Sequence, residues 1–348
     1  MIMLPIADFD YHLPPERIAQ TPVEPRDHSR LLVLDRATGQ LEHRHFYEIG
    51  RYLRPGDLLV ANDSRVLPAR LYGQKASGGK TELLLLKQRD AQHWEALIKG
   101  KVAVGTNLII TGHSGAQVQA TVEELLESGS RIVRFEQPIN DRLPELGSMP
   151  TPPYITAPLT DPERYQTVYS AQAGSAAAPT AGLHWTPELI EQVKALGVGW
   201  ANVTLHVGLD TFRPVQTENA LEHQIHSEWY ELSAETAQAI NATRAAGGRI
   251  ITVGTTSTRV LETVAQAQAI SLTTGEIQAA AGWSSIYIYP PYEYRLVNSL
   301  ITNFHLPKST LLLLVSALAS RDLIMQAYAE AVERQYRFFS FGDAMLII

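Results

Sequence analysis

Five short runs place His, Thr, Glu or Asn beside glycine or where an apolar segment ends: Pro179 to His184, Leu205 to Gly208, His223 to Glu228, Val253 to Ser257, and Asn303 to Pro307. Loops on a rigid scaffold are where binding and catalysis concentrate, so the runs point to an enzyme cleft with a polar substrate held at many points. His206 lies on the polar face of its segment, where a neutral imidazole can take or give a proton near pH 7. A core histidine satisfied by a carbonyl is the competing reading. His223, His226 and Glu228 are close in sequence. Without a His-Glu-x-x-His run or a cysteine, the pattern favours Glu228 orienting a histidine over a metal site. Thr255 and Thr256 follow a strand and a glycine and open a helix, so a ligand there would meet hydroxyls, backbone N–H groups and the helix dipole; a plain tight turn fits the same letters. Asn303 can hold a ribose hydroxyl or a base edge through its amide, with His305 two residues on; a helix-entry turn is the alternative. Tyr336-Arg337-Phe338-Phe339 with Asp343 either closes the core or stacks a purine. The dinucleotide fingerprint, the Walker sequence and Gly-x-Ser-x-Gly are all absent.

These residues need a frame. Residues 65–140 read as short strands separated by Gly and polar turns, the spacing of a small barrel or sandwich. The candidates are Thr81 to Lys87, Trp94 to Ile98, Asn107 to Ile110, Gln117 to Val122 and Arg131 to Phe135. Residues 141–180 are proline-rich and extended. Strand–loop–helix order follows. Thr186 and Ser233 are expected helix caps, and Trp200 to Val207 and Arg249 to Val253 expected strands. Thr258 to Ala269 is an expected helix, Ile286 to Tyr289 and Arg295 to Ile301 further strands, with a buried helix from Ser309 and a last one through Tyr328 to Arg334. This order predicts a parallel sheet with ligand loops at its strand ends. The fold class is α/β: a larger mixed α/β domain with a barrel-like sheet, residues 1–62 and 150–348, and an inserted small all-β barrel domain, residues 63–149.

At 348 residues two domains are the prior, and a 45% apolar fraction is ordinary for a globular protein. The start, Met1 to Asp10, lacks a basic run, so no signal peptide is expected. The longest apolar stretch, Leu311 to Ala319, is too short for a membrane span. With no cysteine, disulfides, thiolate nucleophiles and iron–sulfur clusters are excluded, and a cytoplasmic protein is the simplest expectation. The net charge of -7 argues mildly against nucleic acid, but Arg65 to Lys101 holds eight basic and three acidic residues, +5 in an acidic chain. That segment is either a solvated face or a footprint for phosphates.

The chain resembles the S-adenosylmethionine:tRNA ribosyltransferase-isomerase (QueA) family of queuosine biosynthesis. The stretches that carry the likeness are Asn62-Asp63-Ser64-Arg65-Val66 with Pro68-Ala69-Arg70-Leu71, Ser77-Gly78-Gly79-Lys80, Tyr165-Gln166-Thr167-Val168-Tyr169, Ala178 to His184, Thr204 to Val215, His226 to Tyr230, Val253 to Arg259, Thr302 to Leu311 and Tyr336 to Leu346. Asp210 and Pro291 depart from it, each standing where glycine is expected, and the chain ends soon after Leu346, before a short expected tail. The resemblance implies ribosyl transfer and isomerisation from S-adenosylmethionine to 7-aminomethyl-7-deazaguanine at the tRNA wobble position. The product would be epoxyqueuosine-tRNA, with adenine and methionine released, by a cytoplasmic monomer with no metal, no true cofactor and no membrane.

On that reading His206, His226 and His305 are candidates for proton transfer, with Glu228 orienting one of them. Thr180, His184, Thr255, Thr256, Arg259 and Asn303 are candidates for S-adenosylmethionine, Arg259 as partner of the methionine carboxylate. Arg65, Arg70, Lys75, Lys80, Lys99, Tyr336 and Arg337 are candidates for tRNA. A methyltransferase acting on RNA, an RNA-binding module without catalysis and a metal hydrolase are the competing classes.

Overall fold

The computed structural model describes residues 3–208, 214–271 and 275–348. The chain forms two compact units, one of Met1–Ser64, Pro153–Gln172 and Ala178–Ile348, the other of Arg65–Pro152 and Ala173–Ala177. The architecture is mixed α/β, with a large mixed sheet and a closed antiparallel barrel, as the sequence predicts.

In the larger unit the strands Gly199–Leu205, Leu58–Asn62, Ile250–Val253 and Ser299–Asn303 lie side by side and parallel. Leu58–Asn62, Ile250–Val253 and Ser299–Asn303 are buried on both faces, as the middle of a sheet covered on both sides demands, while Gly199–Leu205 becomes fully buried only over its last three residues. Ala344–Ile347 runs antiparallel to Ser299–Asn303 and parallel to Arg30–Leu34. Leu31, Val33, Leu59, Ala61, Ile251, Val253, Ile301 and Leu346 share one core with Phe46 and Trp185. Helices start where caps are available: Thr186 accepts the N–H of Leu189, Ser233 that of Thr236 and Ser309 that of Leu312. The very apolar helix Thr310–Ala319 is buried, and among the described residues no single helix is long and apolar enough to cross a membrane.

The smaller unit closes its sheet. Arg70–Lys75, Lys80–Gln88, His93–Lys99, Arg131–Phe135, Gln117–Leu125 and Asn107–Thr111 pair in that order, and the last returns to Arg70–Lys75. Alternate residues such as Leu108 and Ile110, Val118, Ala120 and Val122 fill the interior. Closure leaves no open edge among these strands.

Two strand expectations are corrected. Ile286–Tyr289 has no strand pairing, and the strand expected from Arg295 begins only at Ser299. The N–H groups of Arg295, Leu296 and Val297 donate to the carboxylate of Glu262, at 2.9 to 3.1 Å, so a buried side chain takes the bonds a neighbouring strand would have made.

Candidate active site

The parallel strands end together, and the polar runs follow their ends. Val203 pairs with Asn62, and Val253 with both Ala61 and Ile301. Carboxyl ends of parallel strands are where α/β sheets bind ligands. A narrow cleft lies here, within the larger unit, lined from Ala178 to Ala181, Gly254 to Thr256, Thr302 to Leu306 and Phe339 to Ser340, with Tyr154, Val207, Ser309 and Leu311. Among the described residues, none of its lining side chains is an acid, a lysine or an arginine.

Close approach shapes the wall. A β-carbon on Gly182 would sit 2.1 Å from the Tyr169 hydroxyl, so only glycine lets the turn carrying Thr180 pack there. Gly254 has φ of 91°, in the left-handed region, and turns the chain directly into the helix Thr255–Ala267. The first N–H groups of that helix have no partner within it. Thr256 is 8% exposed, lines the cleft, and its Oγ1 is buried without a hydrogen-bond partner.

Asn303 is held on three sides. Its Nδ2 donates to the Phe339 carbonyl at 3.1 Å and lies 3.2 Å from His184 Nε2, while its Oδ1 accepts from Thr180 Oγ1 at 3.4 Å. Because Nε2 accepts, His184 carries its proton on Nδ1 and donates to Ser29 Oγ at 2.7 Å. Burial pushes the His184 pKa down to about 3, helped by Arg337 and Arg26, so the ring is neutral. His184 does not line the cleft; it fixes the amide of Asn303 instead.

His305 does line the cleft, with Nε2 2.8 Å from Thr302 Oγ1 and its backbone N–H donating to the Tyr328 hydroxyl at 2.9 Å. Burial pushes its pKa to about 3 as well. It is a neutral hydrogen-bonding group rather than a proton carrier poised near pH 7. His206 stacks on Trp229, ring centroids 5.3 Å apart, and its Nδ1 is buried without a partner among the described residues. Burial lowers its pKa too. Asn62 fixes the approach to it, exchanging bonds of 2.9 and 3.0 Å with the backbone of Leu205. The continuation, Leu209 to Arg213 with Asp210, lies outside the described residues.

His226, Glu228 and Arg259 form one cluster. His226 Nε2 is 3.1 Å from Glu228 Oε1, which also accepts the Gly208 N–H at 2.7 Å, and Arg259 Nη1 donates to Glu228 Oε2. Burial pushes the Glu228 pKa up, but Arg259, His226 and the Gly208 N–H outweigh it and hold it at about 2. His226 and Arg259 line a small recess that shares Leu311 with the main cleft. Arg259, a candidate partner for a substrate carboxylate, pairs with Glu228 through Nη1, while its Nε is buried with no hydrogen-bond partner among the described residues. Among the described residues no group of three or more His, Asp or Glu is placed to hold a metal ion.

The aromatic run is divided. Tyr336 is wholly buried, its ring 3.6 Å beneath the Arg30 guanidinium and its hydroxyl 2.8 Å from His43 Nδ1. Arg337 donates from its guanidinium to the Thr21 carbonyl and from its backbone N–H to Asp343. These two close the core. Phe339, at φ of 68°, lines the cleft with Tyr154, their rings 4.8 Å apart, and with Phe304. Sequence reading missed Tyr154 and Ser340 as site residues. Phe339 stood in a run already suspected of stacking a purine, but periodicity could not say which of its rings faces the cleft.

In the smaller unit Lys80 and Lys99 are exposed. Arg70 is paired with Glu82 and reaches the Thr151 carbonyl, Lys75 donates to the Lys101 carbonyl, and Arg65 is half-buried.

Residues 6–347 match the family model described as Queuosine biosynthesis protein. A relative from Symbiobacterium thermophilum is 54% identical over 99% of both chains, and ones from Staphylococcus epidermidis and Moorella thermoacetica are 52% and 53% identical over 99% of each. All three are named S-adenosylmethionine:tRNA ribosyltransferase-isomerase. The crystal structure of an S-adenosylmethionine tRNA ribosyltransferase from Thermotoga maritima is 44% identical, covers 98% of this chain and 100% of its own, and superimposes with a TM-score of 0.57. With a cleft at the ends of its parallel strands and this likeness along nearly its whole length, the chain belongs to the queuosine biosynthesis family of S-adenosylmethionine:tRNA ribosyltransferase-isomerases.

Proposed function

We propose that this protein transfers and isomerises the ribosyl moiety of S-adenosylmethionine onto 7-aminomethyl-7-deazaguanine at the tRNA wobble position, giving epoxyqueuosine-tRNA and releasing adenine and methionine. The observation that carries the reading is the polar cleft at the strand ends, in a chain whose relatives bear that name over 99% of its length. The names favour ribosyl transfer over the methyltransferase alternative. S-adenosylmethionine is a co-substrate here, and the reading calls for no metal, no membrane, and a cytoplasmic monomer.

The sulfonium acidifies the adjacent ribose carbon and makes methionine a good leaving group. Tyr154 and Phe339 offer ring faces for adenine, and Thr180 and Asn303 offer polar groups for the nucleoside. His305, neutral beside Thr302, exchanges hydrogen bonds without changing charge. The proton is assigned to His226, because the fixed Glu228 carboxylate orients its ring and stabilises the imidazolium that forms. His206 is the second candidate for a transfer. The target base sits in a single-stranded loop, where its edges can be read directly, and Lys80 and Lys99, with Arg65, Arg70 and Lys75, would hold phosphates.

The test is incubation with S-adenosylmethionine and precursor-bearing tRNA, reading masses of the small products and of the modified nucleoside. Adenine and methionine with a tRNA enlarged by the ribosyl unit support the reading; S-adenosylhomocysteine with a methylated tRNA ends it.

A further inference from the structure

We propose that the amino end of the helix Thr255–Ala267, with the Thr256 hydroxyl, is the carboxylate-binding subsite of the cleft; this rests on the S-adenosylmethionine reading above. Three observations converge. First, the helix is 13 residues long and starts abruptly at Gly254, so its first-turn N–H groups and the positive end of its dipole face the cleft. Second, Thr256 lines the same cleft while more than nine-tenths buried, and among the described residues its Oγ1 has no hydrogen-bond partner. A buried hydroxyl without a partner is costly, and one on a residue that lines a cavity can take an acceptor there. Third, among the described residues the cleft lining has no lysine or arginine, His305 is neutral, and Arg259 pairs with Glu228.

A carboxylate is the part of S-adenosylmethionine that suits such a place. It accepts from several donors at once and is favoured by the dipole, whereas the ammonium and sulfonium are repelled by it. Gly254 keeps the approach open, since a β-carbon there would stand 3.6 Å from Thr256 Oγ1.

Calorimetric titration of the whole protein with S-adenosylmethionine and with 5′-methylthioadenosine, which lacks the amino-acid portion, separates the possibilities. Thr256→Val removes the hydroxyl at constant shape and is expected to weaken S-adenosylmethionine about tenfold or more, while methylthioadenosine binds as before. Thr256→Ser is expected to restore binding. If Thr256→Val weakens both ligands alike, or neither, the carboxylate assignment is overturned while the cleft reading stands. Wild-type protein that binds neither ligand overturns the cleft reading and this subsite with it.

Discussion

Glu228 and Arg259 meet as an ion pair with side chains 2% and 5% exposed, and the same carboxylate reaches His226 at 3.1 Å. The pairing keeps the Glu228 carboxylate ionised and fixes its position against the His226 ring.

Glu228→Gln removes the charge and leaves Arg259 buried without a counter-ion. Breaking a buried pair on one side costs about 3–5 kcal/mol. The pH dependence has a defined sign. The folded pKa of about 2 lies below the ordinary value of 4.5, so the contribution is present above that value and is lost as pH falls toward 2. Urea unfolding from pH 7 to pH 3 should therefore show the largest gap between wild type and variant at neutral pH, narrowing below pH 4.5. A constant gap would separate the loss from the charge.

His226→Gln is expected to lower kcat by about 10²- to 10⁴-fold, the range for a proton-transfer group, with S-adenosylmethionine affinity unchanged. Single-turnover rates and calorimetry read the two effects apart. An unchanged rate would move the proton transfer to His206.

His184 and His305 are held neutral by burial, both at about 3 against an ordinary 6.5. Depressed folded values mean that unfolding takes up protons between these limits, so stability falls as pH drops from 6.5 toward 3, by about 1.4 kcal/mol per pH unit for each group. His305→Gln should flatten the acid limb of the urea-midpoint curve. Identical slopes in wild type and variant would show that His305 is already charged.

Truncating Lys80 and Lys99 to alanine is expected to weaken tRNA binding and to reduce the salt slope by about 2, one for each phosphate contact. Binding of S-adenosylmethionine should not change. Filter binding at several salt concentrations measures it, and a salt slope equal to that of wild type removes these lysines from the interface.

Gly182→Ala forces a methyl group to within 2.1 Å of the Tyr169 hydroxyl. Overpacking of this kind costs about 1–3 kcal/mol. A lower unfolding midpoint and weaker S-adenosylmethionine binding are expected together, because the same turn carries Thr180.

Local chemistry in the sequence already determined much of this molecule. Helix caps at Thr186, Ser233 and Ser309 and the alternation that fills the barrel are short-range rules, and they survive unchanged in the fold. The polar runs after strands were legible for the same reason: glycine and hydroxyls end an apolar segment wherever it packs. Tertiary structure alone decided what those groups do. Nothing local says that Glu262 takes the backbone bonds of Arg295 to Val297, or that Arg259 spends its charge on Glu228. Nor can local pattern divide the aromatic run, where Tyr336 is buried beneath Arg30 and Phe339 faces the cleft. Proton affinity and ligand contact depend on burial and on partners far away along the chain, and only the packed fold brings these together.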